Sequence, residues 1–534
     1  MKIINNMKWF LLLAVAIGFT ACIDEDINKD PNTNAEMDPS MQITTIQVLQ
    51  SNDPEAWHRY LIYPGGYMNQ WTNDWSLAEY GGKAKKHDGH FAQLWESMYP
   101  SVIKNAVDLM ERTRDNPDYV NAHAAARILR VENFLRLTDY YGDVPYFDAG
   151  MAYYSGAFMP MYDKQEEIYK DFFKELKEAS EQFDSTKEPI NRGDMYYSGN
   201  LDQWKKFANS LRLRIAMRLI KVDPALAKQE AEAAVAAGVF TSNSDICYVQ
   251  HDDVSGTGIS SGNGLANRFL NTSSSTFRVS KELMRVMERT QDPRILYYGS
   301  SYLEDNTRTD ITKYLYATYG SYATFALGSE AFSWENYPDA EVPRNPIEIT
   351  LDNGTTVSVP KLLQFMQPSK LITNPGSPYI HMSYAEVEFL LAEAAYRGYN
   401  VGGTAASHFE AGLRAAIEQW TLFGATIDQA AVSSFITANP LRSGTELEQI
   451  ATQLWVLHFL DPFETWSNYR RLGLPTEANF LNRYPAENES GGQSPRRIQY
   501  PISEQTSNPA GYKAAVDRLP SKTDTWTERV WWDK

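Results

Sequence analysis

The chain has 534 residues, long for one compact core and enough for two or three domains or one large helical array. Its net charge of -17 at pH 7 repels phosphate backbones and anionic bilayers, so nucleic acid is not an expected partner; 32 Tyr, 23 Phe and 13 Trp instead suit uncharged ligands. Cys22 and Cys247 are the only cysteines, which excludes a disulfide framework and any C-x-x-C zinc pair.

In chain order, residues 1–21 read as a targeting segment. Lys2 and Lys8 precede the apolar run "WFLLLAVAIGF", and Thr20 and Ala21 are small. The run falls short of the ~20 apolar residues a bilayer requires. Thr20-Ala21-Cys22 resembles the lipobox of bacterial lipoproteins, in which the cysteine becomes the acylated first residue; Phe19 stands where that motif usually has an aliphatic residue. An ordinary signal peptide with an incidental cysteine is the competing reading. Residues 22–42 are polar and acidic and read as a flexible tether.

From 43 to 534 the expectation is a single, mainly α body. Helical periodicity marks ~90–113, 164–184, 225–237, 380–397, 403–422 and 446–460. Ala125, Ile128, Leu129 and Leu135 form a stripe in a helix that Gly142 ends. Trp204, Phe207, Ala208, Leu211, Ile215 and Leu219 form another, with Lys205, Lys206, Arg212 and Arg214 largely off that face. Alanines on the apolar faces permit close helix pairs. Residues ~240–378 are richer in Gly, Ser, Thr, Asn and Tyr and read as a loop excursion, with "TTVSVP" as a short strand after a turn at Asp352, Asn353 and Gly354. The tail ~462–534 reads as irregular.

Along this length the chain resembles the SusD/RagB family of surface lipoproteins of Bacteroidetes. The resemblance is carried by "AAARILRVENFLRLTDYYGDVPYFDA", "YDKQEEIYKDFFKELKEA", "WKKFANSLRLRIAMR", "DPR", "YAEVEFLLAEAAYRG", "NYRRLGLP", "RRIQYPISEQTSN" and the terminal "VWWDK", in that order. The terminal Trp-Trp-Asp points to the family's second branch. The resemblance implies a scaffold of tetratricopeptide-like helix pairs whose long loops form the ligand face. It implies capture of oligosaccharides, without catalysis, for a SusC-like TonB-dependent transporter, at the outer cell surface and through a lipid anchor on Cys22. Asp24, Glu25 and Asp26 then look like the family's surface-export signal. Peptide or other nutrient binding, a mainly structural lid on the transporter, and a hydrolase on a helical scaffold are the alternatives.

A sugar site wants aromatic rings for CH faces and polar side chains for hydroxyls. Two stretches offer both. "YPGGYMNQWTNDW" brings Tyr67, Asn69, Gln70, Trp71, Asn73 and Trp75 behind a Gly-Gly hinge; the loop 297–337 brings Tyr302, Tyr314, Tyr316, Tyr319, Tyr322, Trp334 and Tyr337. The family implies ligand aromatics from comparable regions. Core packing, the commoner fate of Trp and Tyr, is the alternative for each ring. His87, Asp88 and His90 lack a third ligand and read as a solvated loop, so no metal or cofactor is expected. Asp143 reads as a backbone-capping residue, Glu393 and Arg397 as a helical ion pair, and Cys247 as a buried apolar residue.

Overall fold

The computed structural model describes residues 38–73, 76–270, 277–301, 308–324, 326, 345–479 and 489–534. Cys22, Trp75 and Trp334 lie outside the described residues, as do Tyr302 and Tyr337. Ser40–Lys534 forms one compact unit. It is built mainly from helices, of which those of seven residues or more are α1 Ser40–Leu49, α2 Pro54–Tyr60, α3 Asp88–Met98, α4 Lys104–Thr113, α5 Val120–Tyr141, α6 Gln165–Gln182, α7 Leu201–Arg218, α8 Pro224–Ala237, α9 Gly264–Leu270, α10 Lys281–Thr290, α11 Arg308–Tyr319, α12 Tyr384–Tyr396, α13 Ala405–Glu418, α14 Gln429–Ala438, α15 Glu446–Leu457, α16 Pro462–Leu472 and α17 Pro509–Arg518.

The helices begin where short polar side chains can take the first free N–H groups. Asp53 accepts from Glu55 N and Ala56 N at α2, Asn200 from Asp202 N and Gln203 N at α7, and Asp223 from Leu226 N at α8. Asp461, with Pro462 at the first helical position, starts α16. This overturns the reading of 462–534 as irregular: α16 and α17 lie there, and Trp466, Trp526 and Trp532 are core residues. The stretch ~90–113 is likewise two helices. Pro100 lacks an N–H, and the chain makes one wide helical turn at Tyr99–Ile103 between α3 and α4. The stretch 380–397 is split by Ser383, which caps α12 after the strand Pro378–Met382. Gly142, at φ 93°, ends α5 as expected.

From α4 to α8 each helix packs on the next, and α7 also packs on α12. The second group is α12 with α13 and α15, α13 with α14, and α15 with α16. Such a chain of consecutive antiparallel pairs is the tetratricopeptide-like arrangement. α5 is buried on nearly every side, so it forms the centre of the array. Gly412 lets α13 close on α12; a Cβ there would lie 2.6 Å from the Phe389 ring.

The arginines expected off the apolar face of α7 are not solvated. Arg212 pairs with Glu230 of α8 and Arg214 with Glu386 of α12, both at 2.6 Å, and Arg218 reaches Asp139 of α5 and Glu464 of α16. Glu393 makes the expected pair with Arg397 at 2.8 Å and also pairs with Arg471 at 2.6 Å, so its carboxylate joins two helices. These side chains cross between packed helices, where a charge persists only when paired.

Among the described residues four two-stranded antiparallel ladders decorate the array: β1 Trp71–Thr72 with β3 Arg278–Val279, β2 Cys247–Gln250 with β8 Pro378–Met382, β4 Gly299–Ser300 with β7 Gln367–Pro368, and β5 Ile347–Thr350 with β6 Thr356–Val359. The last is the expected turn and strand, with Gly354 at φ 84°. Cys247 is buried in β2, and burial pushes its thiol well above the ordinary range.

Candidate functional site

The two aromatic stretches end in different places. Tyr67, Asn69 and Trp71 are buried, which corrects their assignment to a ligand face. Trp71 is stacked between Phe459 (centroids 4.0 Å apart) and Phe269 (4.5 Å), and its Nε1 donates to Phe459 O at 2.9 Å. Tyr67 packs on Trp466 at 5.4 Å, and Asn69 Nδ2 donates to Glu477 O at 2.7 Å. Their segment docks onto α15, α16 and the turn between them: Gln70 Nε2 donates to Trp455 O, Trp455 Nε1 donates to Met68 O at 2.7 Å, and the ring faces are consumed by packing. The Gly-Gly pair is no hinge either. Gly66 is helical and meets Gly81, where a Cβ would approach Ile62 O to 1.6 Å, so the glycines allow two backbone segments to touch.

The second stretch does reach the surface. In α11, Ile311 and Leu315 face the core, one turn apart. Tyr314 and Tyr316 are 42% and 40% exposed. Tyr322, in the turn after the helix, lays its ring 4.3 Å from that of Tyr316 at 34°. That turn is fixed from below: Glu288 of α10 accepts from Ser321 Oγ at 2.7 Å and from Tyr322 N at 2.5 Å. Ser301 holds α11 to the body, its N–H donating to Thr312 Oγ1 at 3.0 Å.

Beside the rings runs a groove of about 170 Å³, lined by Leu296, Ser300, Thr312, Lys313, Tyr322 and Ser369 together with Gly299, Lys370 and Leu371. Burial, with Tyr316 and Glu288 nearby, raises the Tyr322 phenol above its ordinary value, so it stays a neutral donor at physiological pH. The Tyr322 ring, three hydroxyl side chains and two lysines thus line one groove, with Tyr316 packed on Tyr322; Tyr314, two residues before Tyr316, projects from another side of α11. This arrangement can stack on and hydrogen-bond to an uncharged polar ligand. The groove residues other than the tyrosines were missed by the sequence reading. They come from three separated segments near 296–300, 312–322 and 369–371 and form no pattern along the chain.

Residues 87–90 form a helix start, not a loop: His87 caps α3, accepting from His90 N. Among the described residues, no group of three His, Cys, Asp or Glu is placed to hold a metal ion. Asp143 does bond backbone, accepting from Gln165 N at 2.9 Å, and its other oxygen pairs with Arg518 at 2.5 Å.

Residues 31–501 match the SusD-like_2 family, described as starch-binding associating with outer membrane. The chain belongs to the SusD-like family. A solved chitin-binding protein is 34% identical to it, with a TM-score of 0.76, covering 93% of this chain and 100% of its own. A Bacteroidetes AC2a SusD-like structure is 30% identical over the same shares, with a TM-score of 0.80. A chitin-binding SusD homolog from Flavobacterium johnsoniae is 26% identical, with a TM-score of 0.70, covering 93% of this chain and 98% of its own. Comparison with curated proteins gave no match. Membership in the SusD-like family accounts for the helical array with its appended ladders. No described helix of this SusD-like chain is long and apolar enough to cross a membrane.

Proposed function

We propose that this SusD-like protein is a cell-surface lipoprotein that binds an oligosaccharide without making or breaking a bond. It passes the sugar to a TonB-dependent transporter in the outer membrane. The observation that carries the reading is the ring pair formed by Tyr316 of α11 and Tyr322 of the turn after it, side by side at a hydroxyl-lined groove. Trp75 and Trp334 remain candidate ligand residues on sequence grounds alone. Cys22 is the proposed lipid anchor. The two relatives named as chitin-binding make chito-oligosaccharides the first ligands to offer.

Isothermal titration with chitohexaose, starch and xylan oligosaccharides, and a peptide pool tests this. One glycan class is expected to bind with modest affinity, because hydroxyl–water bonds are exchanged for hydroxyl–protein bonds at small net gain. A Tyr316→Ala/Tyr322→Ala double variant is expected to bind about tenfold more weakly, the size of one lost stacking platform. Binding of peptides with silence toward every glycan would overturn the reading.

A further inference from the structure

Between α5 and α6 the chain forms a loop closed at its base. Asp163 N donates to Val144 O at 2.9 Å, and the Asp163 carboxylate accepts from Tyr146 N and Phe147 N, each at 2.9 Å. Within it, "AGMAYYSGAFMPMY" (149–162) contains no charged residue. Tyr153 is 90% exposed, Phe158 79% and Met159 65%; Phe147, Tyr154 and Met161 are exposed as well. The loop is tied down while it displays them. Tyr154 OH donates to Asp108 at 2.6 Å, Asn508 Nδ2 to Pro160 O at 2.7 Å and Arg518 Nη2 to Tyr162 O at 2.9 Å.

A fixed cluster of exposed apolar side chains on a strongly acidic protein marks an interaction surface. Tyr, Phe and Met are the types enriched at the centre of protein interfaces, where charge is depleted. Loops that seat in a bilayer are flanked by Lys and Arg for anionic headgroups. Here the bordering charges are the carboxylates of Asp108, Asp148 and Asp163, with Arg112 near Tyr154 and Arg114 and Arg130 beside Phe147 and Met151. The neighbouring cations are already engaged: Arg518 with Asp143, Lys164 with Glu167, Arg114 with Glu111, Arg130 with Tyr146 and Arg112 with Gln42. The surface therefore fits a protein with an uncharged apolar hollow rimmed by Lys or Arg. Asp108 also accepts from Gln42 Nε2 of α1 at 2.9 Å, so the loop stands beside the first helix of the body.

We propose that this loop docks the chain on the outer-membrane transporter; the inference rests on the transporter reading above and adds the surface that makes the contact. The test uses the full-length chain, tagged and co-expressed with a candidate TonB-dependent transporter from its own genome, then recovered from detergent-solubilised outer membranes. A Tyr153→Ser/Phe158→Ser/Met159→Ser variant alters only exposed side chains. It is expected to recover about tenfold less transporter than the wild type, with melting temperature and glycan binding unchanged. Asp148→Lys is expected to lower recovery severalfold at low salt. Equal recovery by wild type and triple variant overturns the docking surface and leaves the transporter reading standing. No recovery by the wild type overturns both.

Discussion

His58 and His90 show how strongly local surroundings set chemistry in this chain. Burial and the nearby Arg268 lower His58 to about 3, and burial with His87 and Arg59 lowers His90 to about 4. In the unfolded chain both take a proton near pH 6.5. Between about pH 6.5 and 4 the unfolded state therefore holds more protons than the folded one, and stability falls as pH falls. Denaturant midpoints at pH 7.0 and 4.5 are expected to show that drop. His58→Gln, which keeps a polar partner for Ser76 Oγ (2.9 Å away), is expected to flatten it; an unchanged slope would refute this. The carboxylates of Glu132, Glu175 and Glu464 are held below their usual range despite burial: by His381 at Glu132, by the bonded Arg127 at Glu175, and by Arg218 and Arg214 at Glu464. Their contribution is present above the unfolded carboxylate range, near pH 4.3, and is lost below it. Asp139 goes the other way, because its burial outweighs Arg218 and Arg470.

At the scale of elements, the contact between α12 and α13 turns on one missing methyl. Gly412→Ala gains helix propensity, up to about 1 kcal/mol. The added Cβ would, however, meet the buried Phe389 ring at 2.6 Å, and overpacking costs about 1–3 kcal/mol. Net destabilisation is expected in a urea melt; a gain in midpoint would show that the helices have slack. Much at this scale was legible in the sequence. The apolar stripes of α5 and α7, the stop at Gly142 and the turn before β6 follow from local chemistry, and local chemistry is what a sequence displays. Partners far apart in the chain were not legible. Arg214 finds Glu386 172 residues away, and Trp71 donates to Phe459 388 residues away. A Trp among Asn and Gln looks the same whether it awaits a sugar or another ring. Tyr314 and Tyr316 reach the surface because Ile311 and Leu315, one helical turn apart, fix which side of α11 turns inward, while Glu288 sets the turn that brings Tyr322 beside Tyr316.

For the molecule as a whole, the C-terminal segment acts as a closing wedge. Trp532 is buried, its Nε1 donating to Asp139 at 2.7 Å, while Arg470 lies 4.7 Å from its ring and 3.9 Å from that of Trp466. Asp533 pairs with Arg496 beside it. Trp532→Ala is expected to cost about 3–5 kcal/mol, read as a lowered denaturation midpoint, since it opens a cavity and strips a donor from a buried carboxylate. A shift below about 1 kcal/mol would mean that the wedge is ornamental. The same arrangement sets a clock. A chain that emerges amino end first has made Asp139, Arg218 and Arg470 long before the indole that sits among them. Its centre stays unsealed until Trp532 arrives, so consolidation waits for the chain to be made or passed through at least that far, and a product cut before Trp532 is left with an open seam that a protease can find.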